Sequence, residues 1–323
     1  RSKLYIINLL ANVDRIYWNL WAVNQEVIAR YEQYEFAVKQ LEQAQQLVGA
    51  GILPQIEILR AEVGVSQRIN GIISAETNRK IIERQFKWSV NDPSMKLDSK
   101  LTILPNTKAA IFQLTLNTDM LVSNALSKRM DLLNEQLQVS QGIIDEKLNK
   151  NQLLPELALI FEYGNISSGT SFNDVFGAIG DNERASWVTG LQLSYSLGNR
   201  AAKSRLKKSA LRNKIYFNNI KQKQYRIIQE VYNAVDRLTQ NWQLINASRQ
   251  EIKLSQNIYQ GELKQFKINL RTSTEVLNAA QYLTDAKIRN IRAISNFEIA
   301  KVELAYATGT QLGYSDLKIP TLE

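Results

Sequence analysis

What most constrains this chain is how little in it can stop a helix. Five prolines and 14 glycines are spread through 323 residues, and positions 199–267 hold no proline at all. Near the start, Leu9, Val13, Ile16, Leu20, Val23 and Val27, then Val38, Leu41, Gln45 and Val48, recur at three- and four-residue steps with polar residues between them. That period predicts one long helix over 3–49 with a single apolar face. The run breaks at Gly49-Ala50-Gly51-Ile52-Leu53-Pro54. Glycine ends a helix at little cost, and proline suits the first turn of the next, so a second helix is expected over 55–88, antiparallel to the first. The pattern returns over 199–267, breaks at Asn269-Leu270-Arg271-Thr272-Ser273, and resumes to Thr308-Gly309. This is a second helical hairpin.

Between the hairpins the character changes. Asp92-Pro93 and Leu104-Pro105-Asn106 mark loops or short elements over 89–118, and helical pattern resumes over about 119–152. After Pro155 comes the strongest strand signal. In Glu156-Leu157-Ala158-Leu159-Ile160-Phe161-Glu162-Tyr163, the residues Leu157, Leu159, Phe161 and Tyr163 share one face. A loop rich in Gly, Ser, Asn and Asp covers 164–185. Alternation then resumes over 187–197, with Trp187, Leu191, Leu193, Tyr195 and Leu197 on one face and Gly190, Gln192, Ser194 and Ser196 on the other. Strands of about 8–11 residues are long enough to cross a bilayer at a tilt, and aromatics at the ends of an apolar face suit the interfaces. A soluble hairpin packed on a helix fits the same alternation.

Composition closes off several classes of function. An apolar share of 44% excludes a disordered chain. With no Cys and no His, disulfides, thiol nucleophiles, thiolate metal sites and the commonest general base are all excluded. No Gly-rich phosphate loop or nucleotide motif occurs, so neither a cofactor nor a metal is expected, and neither is an enzyme. No apolar run reaches the ~18 residues of a membrane helix. That test does not see β-strands.

The two hairpins superpose. With Gly51 laid on Asn269, Glu57-Ile58-Leu59 falls on Glu275-Val276-Leu277, Ala61 on Ala279, Val13 on Val231 and Leu20 on Leu238. An internal repeat of two helical hairpins is the economical reading. By the same shift a further strand pair belongs before Arg1, so the repeat predicts a longer chain of which this begins partway down a descending helix.

These features together resemble the outer-membrane efflux family typified by TolC. The matching segments are Ala50-Gly51-Ile52-Leu53 followed by Glu57-Ile58-Leu59-Arg60-Ala61-Glu62, then Ser127-Lys128-Arg129-Met130-Asp131-Leu132, Leu154-Pro155-Glu156-Leu157, and Asn269-Leu270-Arg271-Thr272-Ser273-Thr274-Glu275-Val276-Leu277. Asn269 stands where the family has a glycine, and Met130 where it has a proline. Glu275 and Asn278 stand where an Asp pair is common, and the strand exit Ser194–Asn199 lacks the usual proline.

The resemblance implies a mainly helical fold with a small β part. Coiled-coil hairpins form a tunnel, and the strands belong to a trimeric membrane barrel. On that reading 1–88 is the first tunnel hairpin and 89–118 a mixed equatorial segment. Residues 119–152 lead to the membrane, and 153–198 hold two barrel strands with an extracellular loop at 164–185. Residues 199–308 form the second hairpin and 309–323 a tail. The implied function is a passive exit duct for efflux or type I secretion in the outer membrane of a Gram-negative bacterium, with most of the chain in the periplasm. The implied partners are two further copies, a periplasmic adaptor, an inner-membrane pump and outer-membrane lipid. Arg271, Glu275, Asn278 and Glu57 are the expected gate or selectivity residues at the tips. Gly51, Ile52, Leu53, Asn269, Leu270 and Thr272 are the expected adaptor contacts. Leu157, Leu159, Phe161, Tyr163, Trp187, Leu191, Leu193 and Tyr195 are the expected lipid-facing set. A soluble coiled-coil protein such as an adaptor is the alternative; it leaves the alternating strands unexplained. The net charge of +9 is concentrated at 200–226, where Arg and Lys occur with no acid. Anionic inner-leaflet headgroups or general solvation, rather than nucleic acid, are expected for that stretch.

Overall fold

A computed structural model describes residues 2–99, 101–165, 170–173, 177 and 185–315. The chain divides into two compact units, 1–132 with 223–323, and 133–222. Helices α1 (Ser2–Gly49), α2 (Ile56–Val90), α3 (Thr118–Lys128) and α4 (Met130–Asn151) precede strands β1 (Glu156–Asn165) and β2 (Ala185–Ser194). Helices α5 (Arg200–Lys267), α6 (Ser273–Ala307) and α7 (Gln311–Tyr314) follow.

In the first unit α6 is the central element. Val276, Leu277, Leu283, Ile288, Phe297, Val302 and Leu304 are buried together with alanines at 279, 280, 286, 293, 300, 305 and 307. A helix apolar on most of its circumference must be covered on most of it. α6 packs along α1, which buries Ala11, Ala29, Ala37 and Ala44, and such small side chains let helix backbones draw close. The seam is tied by the Ser295 hydroxyl donating to the Trp18 carbonyl at 2.8 Å. From α5, Ile227, Val231, Leu238 and Ile245 bury toward the same core.

Helix α2 buries charged residues and exposes apolar ones. Its buried residues are Glu57, Ala61, Gly64, Arg68, Ala75, Glu83 and Lys87. Ile58, Val65, Ile72, Ile82 and Phe86 are half-buried beside them, while seven more large apolar residues, Ile56, Leu59, Val63, Ile69, Ile73, Ile81 and Trp88, are exposed. At 100° per residue those seven fall on one face, opposite the buried polar one.

Residues 91–117 form neither helix nor strand except for turns among those described. Long side chains strap this segment to the helices. Lys87 donates to the Leu101 carbonyl at 2.7 Å, Lys301 donates to that of Ala110, and Tyr17 bonds Thr107.

The expected continuous helix over 119–152 is two. Arg129 is extended between α3 and α4 and spends its donors sideways. Its guanidinium grips Asp131 at 3.0 and 2.6 Å, meets Glu230 of α5, and reaches the Ala307 carbonyl at the end of α6. Lys223 adds a second cation to Asp131 at 2.7 Å. Burial alone would raise the Asp131 carboxyl. The Arg129 and Lys223 hydrogen bonds outweigh it and hold the group down at about 2. Gly309, at φ +71°, lies 3.2 Å by its would-be Cβ from the Arg129 backbone, so only glycine fits the end of α6 there. The expected tail beyond it begins as α7, whose Gln311 is fully buried and donates to Asp14 of α1. Residues 316–323 lie outside the described set.

In the second unit β1 and β2 pair antiparallel from Glu156 opposite Ser194 to Asn165 opposite Ala185. β2 was expected over 187–197; it ends at Ser194. The next partner would be Pro155, which has no N–H to continue the ladder, so Tyr195 and Leu197 lie in the connection to α5. Most of the expected loop at 164–185 lies outside the described residues. α4 and α5 flank the sheet side by side, tied by Asn199 to the Leu153 carbonyl and Asn213 to Glu146.

Candidate functional site: the hairpin tips and the apolar strand face

The two helix ends at the tips are built alike. Gly51 has φ +73° and Asn269 φ +61°. In the first turn Ile52 N–H bonds the Leu47 carbonyl and Gly51 N–H that of Val48. In the second, Leu270 N–H bonds Gln265 and Asn269 N–H bonds Phe266, the equivalent positions of the repeat. Both are left-handed caps of the Schellman type. Asn tolerates that conformation, so the departure from glycine leaves the turn intact.

The helices that follow are capped differently. Thr272 and Glu275 form a reciprocal capping box on α6, with Glu275 accepting from the Thr272 N–H at 2.8 Å. That bond and the Arg271 guanidinium hold the Glu275 carboxyl below its ordinary range. α6 has a second cap from the other hairpin: Glu57 Oε2 accepts the Ser273 N–H at 2.7 Å. Glu57 was expected as a gate or selectivity residue at the tip. Its side chain is only 5% exposed and paired with Arg60 at 2.5 Å, so it is a cross-hairpin cap.

Arg271 was expected as a gate or selectivity residue. Within its own chain Nε donates to Gln265 and lies 3.2 Å from Glu262, and Nη1 donates to Glu275 at 2.8 Å. Of the expected tip contacts, Ile52 and Leu270 are exposed, whereas Leu53 is not. It is buried with Ala44 and Ala61 of its own hairpin and Phe266 and Val276 of the other, and packs between the two. Asn269 spans the tips by donating to the Ile52 carbonyl at 3.4 Å. Asn278 is exposed beside an open groove of about 390 Å³ along Ile56, Leu59, Val63 and Thr274. Arg68, which sequence reasoning missed, is buried and donates across to the Leu277 carbonyl at 3.0 Å, and burial lowers its pKa. Its repeat counterpart is Ala286, so the superposition carries no sign of it.

The strand pair places Leu157 opposite Leu193, Leu159 opposite Leu191, Phe161 opposite Thr189 and Tyr163 opposite Trp187. Directly opposed residues share a face. Leu159, Leu191 and Trp187 are 73%, 75% and 70% exposed, so this apolar face is uncovered. The other face alternates Glu156, Ala158, Ile160 and Glu162 with Ser194, Gln192, Gly190 and Val188. Ten residues span about 33 Å, or roughly 25 Å along the normal at barrel tilt, the height of a membrane apolar band. No helix among the described residues is long and apolar enough to cross a membrane.

Coiled-coil hairpins beside a membrane-length strand pair define the architecture of a TolC-like outer-membrane channel. Residues 121–310 match the family described as outer membrane efflux protein, and the chain belongs to that family. It is 23% identical over 304 residues to the outer membrane efflux protein BepC of Brucella suis, covering 94% of this chain and 63% of that protein. Among solved structures it superposes on the Campylobacter jejuni CmeC outer membrane channel with a TM-score of 0.79 at 15% identity, over 94% of this chain and 63% of that one. On the Vibrio cholerae outer membrane protein VceC the TM-score is 0.74 at 13% identity, over 94% and 70%.

Proposed function

We propose that this chain is part of a homotrimeric outer-membrane duct that conducts solutes passively for efflux or type I secretion. A periplasmic adaptor and an inner-membrane pump supply the energy. One observation carries this reading: a ten-residue antiparallel strand pair holds a continuous apolar face, ended by Tyr163 and Trp187, open to its surroundings. A soluble adaptor would have to bury that face, and no described part of the second unit covers it. The exposed apolar face of α2 supports the assembly, because a face of Ile, Leu, Val and Trp on a water-exposed helix calls for a second protein surface.

At the tips Arg271 and Glu275 are the gate residues, with Ile52 and Leu270 the apolar points offered to the adaptor. Among the described residues no partner is seen for Arg271 Nη2, which leaves it available to a neighbouring copy. The test is conductance of the protein in planar lipid bilayers. Channels are expected, with Arg271→Ala raising the conductance of the resting state. Absence of any channel sinks the duct, and unchanged conductance in Arg271→Ala sinks the gate.

A further inference from the structure

The short helix α7 is joined to α1 through a set of hydrogen bonds that lacks one donor. Gln311 is fully buried, and its Nε2 donates to Asp14 Oδ2 at 3.0 Å. The Ser315 hydroxyl donates to the same oxygen at 3.4 Å. On the other arm of that amide, Gln311 Oε1 is buried and meets no donor. A buried carbonyl left without a donor is costly. An ionised carboxylate only accepts, so Asp14 in that form cannot supply one.

A protonated carboxyl can. It carries one O–H and one free acceptor, and a side-chain amide carries an acceptor and two N–H, so the two groups close a ring of two hydrogen bonds. The amide N–H then meets one oxygen of Asp14, and the O–H on the other oxygen meets Gln311 Oε1. Turning the amide over leads to the same place. Oε1 then stands 3.0 Å from Asp14 Oδ2, and two oxygens at that distance need a proton between them.

The surroundings of Asp14 favour its neutral form. Burial pushes the carboxyl above its ordinary value, against the lowering effect of the Ser315 and Gln311 hydrogen bonds. No cation among the described residues pairs with it. Its neighbour on α1, Arg15, lies instead over the Tyr306 ring of α6, 5.9 Å from the centroid. From α6 comes the buried Glu298, with one oxygen on Lys301 at 2.5 Å and the other without a partner among the described residues. From α7 comes Tyr314, whose phenol is pushed up to about 12 by burial and then by Glu298 and Asp14, so it stays neutral.

We propose that α7 is a proton-operated clasp: a proton taken from solvent by Asp14 closes the reciprocal pair with Gln311 and seats α7 more firmly on α1 as pH falls. Asp14 is half-buried, open enough to exchange that proton with water. Docked Asp14 holds its proton more tightly than an undocked one. The contribution is therefore complete below about pH 4 and is lost as pH rises through the docked value. The clasp does not depend on the chain being a duct.

The chain has no cysteine, so Gly313→Cys takes a single nitroxide label, on the exposed side of α7 where an added side chain meets nothing. The experiment is electron paramagnetic resonance of the labelled full chain in detergent as pH falls from about 7.5 to about 4.5, a range in which Asp131 stays ionised. The ratio of immobilised to mobile label is expected to rise about fivefold, the worth of one net hydrogen bond. Asp14→Asn keeps a donor and an acceptor at every pH and is expected to hold the label immobilised throughout. Asp14→Ala is expected to leave it mobile throughout. A native ratio that does not change with pH overturns the clasp, and so does a pH response that persists in Asp14→Asn or Asp14→Ala. Channel conductance plays no part in this readout, so failure here and failure of the duct are read separately.

Discussion

Two carboxylates show how much one side chain's surroundings decide. Glu57 and Glu275 occupy equivalent places in the repeat, yet Glu275 caps its own helix and Glu57 caps the other hairpin. Removing the Glu57 acceptor leaves the Ser273 N–H buried and unpaired, at a cost of about 1–2 kcal/mol. Glu57→Ala is therefore expected to speed amide hydrogen exchange at Ser273 and its neighbours and to leave exchange in β1 and β2 unchanged. Uniform exchange across the tip would show that the bond holds nothing. Asp131 gives a pH prediction. Its folded pKa of about 2 lies below its unfolded value, so its contribution is complete above about pH 4 and lost as pH falls toward 2. That contribution is about 2 kcal/mol. Urea melts are expected to lose that much across the window in the native protein and to be flatter in Asp131→Asn. Parallel curves would remove Asp131 from the acid response.

At the level of elements, the period of the apolar residues set the ends of α1, α2, α5 and α6 to within a few positions, because few glycines and prolines offered competing ends. Gly51 and Asn269 were legible as turns for the same reason. Less legible was anything set by a partner element. The extended Arg129 depends on Asp131, Glu230 and the end of α6, none adjacent in sequence except Asp131. The burial of Leu53 depends on Phe266 and Val276 of the other hairpin. The early end of β2 was readable only once its register set Pro155 beside Tyr195. The apolar face of the strands was legible residue by residue, since alternation is a local property. It yields a direct test: Leu159→Arg is expected to cost about 2–4 kcal/mol of folding stability in lipid vesicles and little in urea-free detergent. Equal stability of variant and parent in vesicles would mean that Leu159 does not face lipid.

For the molecule as a whole, α2 is the clearest statement that one copy is not the finished structure. Its inner face carries Glu57, Arg68, Glu83 and Lys87, each with a named partner: Ser273 N–H, the Leu277 carbonyl, Arg79 and the Leu101 carbonyl. Its outer face carries seven large apolar side chains that nothing in the described chain covers. Burying polar groups has a desolvation cost that those partners offset, whereas leaving the apolar face in water forfeits about 25 cal/mol per Å². A sequence arranged this way is stable only if a second surface meets the outer face. The proposed homotrimer supplies one, with each copy's α2 seated against the next. Ile73, 59% exposed at mid-helix, is the position at which a charge disturbs that contact without touching the copy's own core. Ile73→Glu is expected to leave the helical circular dichroism signal unchanged while sedimentation in detergent shifts from a trimer toward a monomer. A parent protein that sediments as a monomer would leave the α2 face uncovered and remove the trimer from the proposed function. A trimer that survives Ile73→Glu would place the contact on another face of the chain.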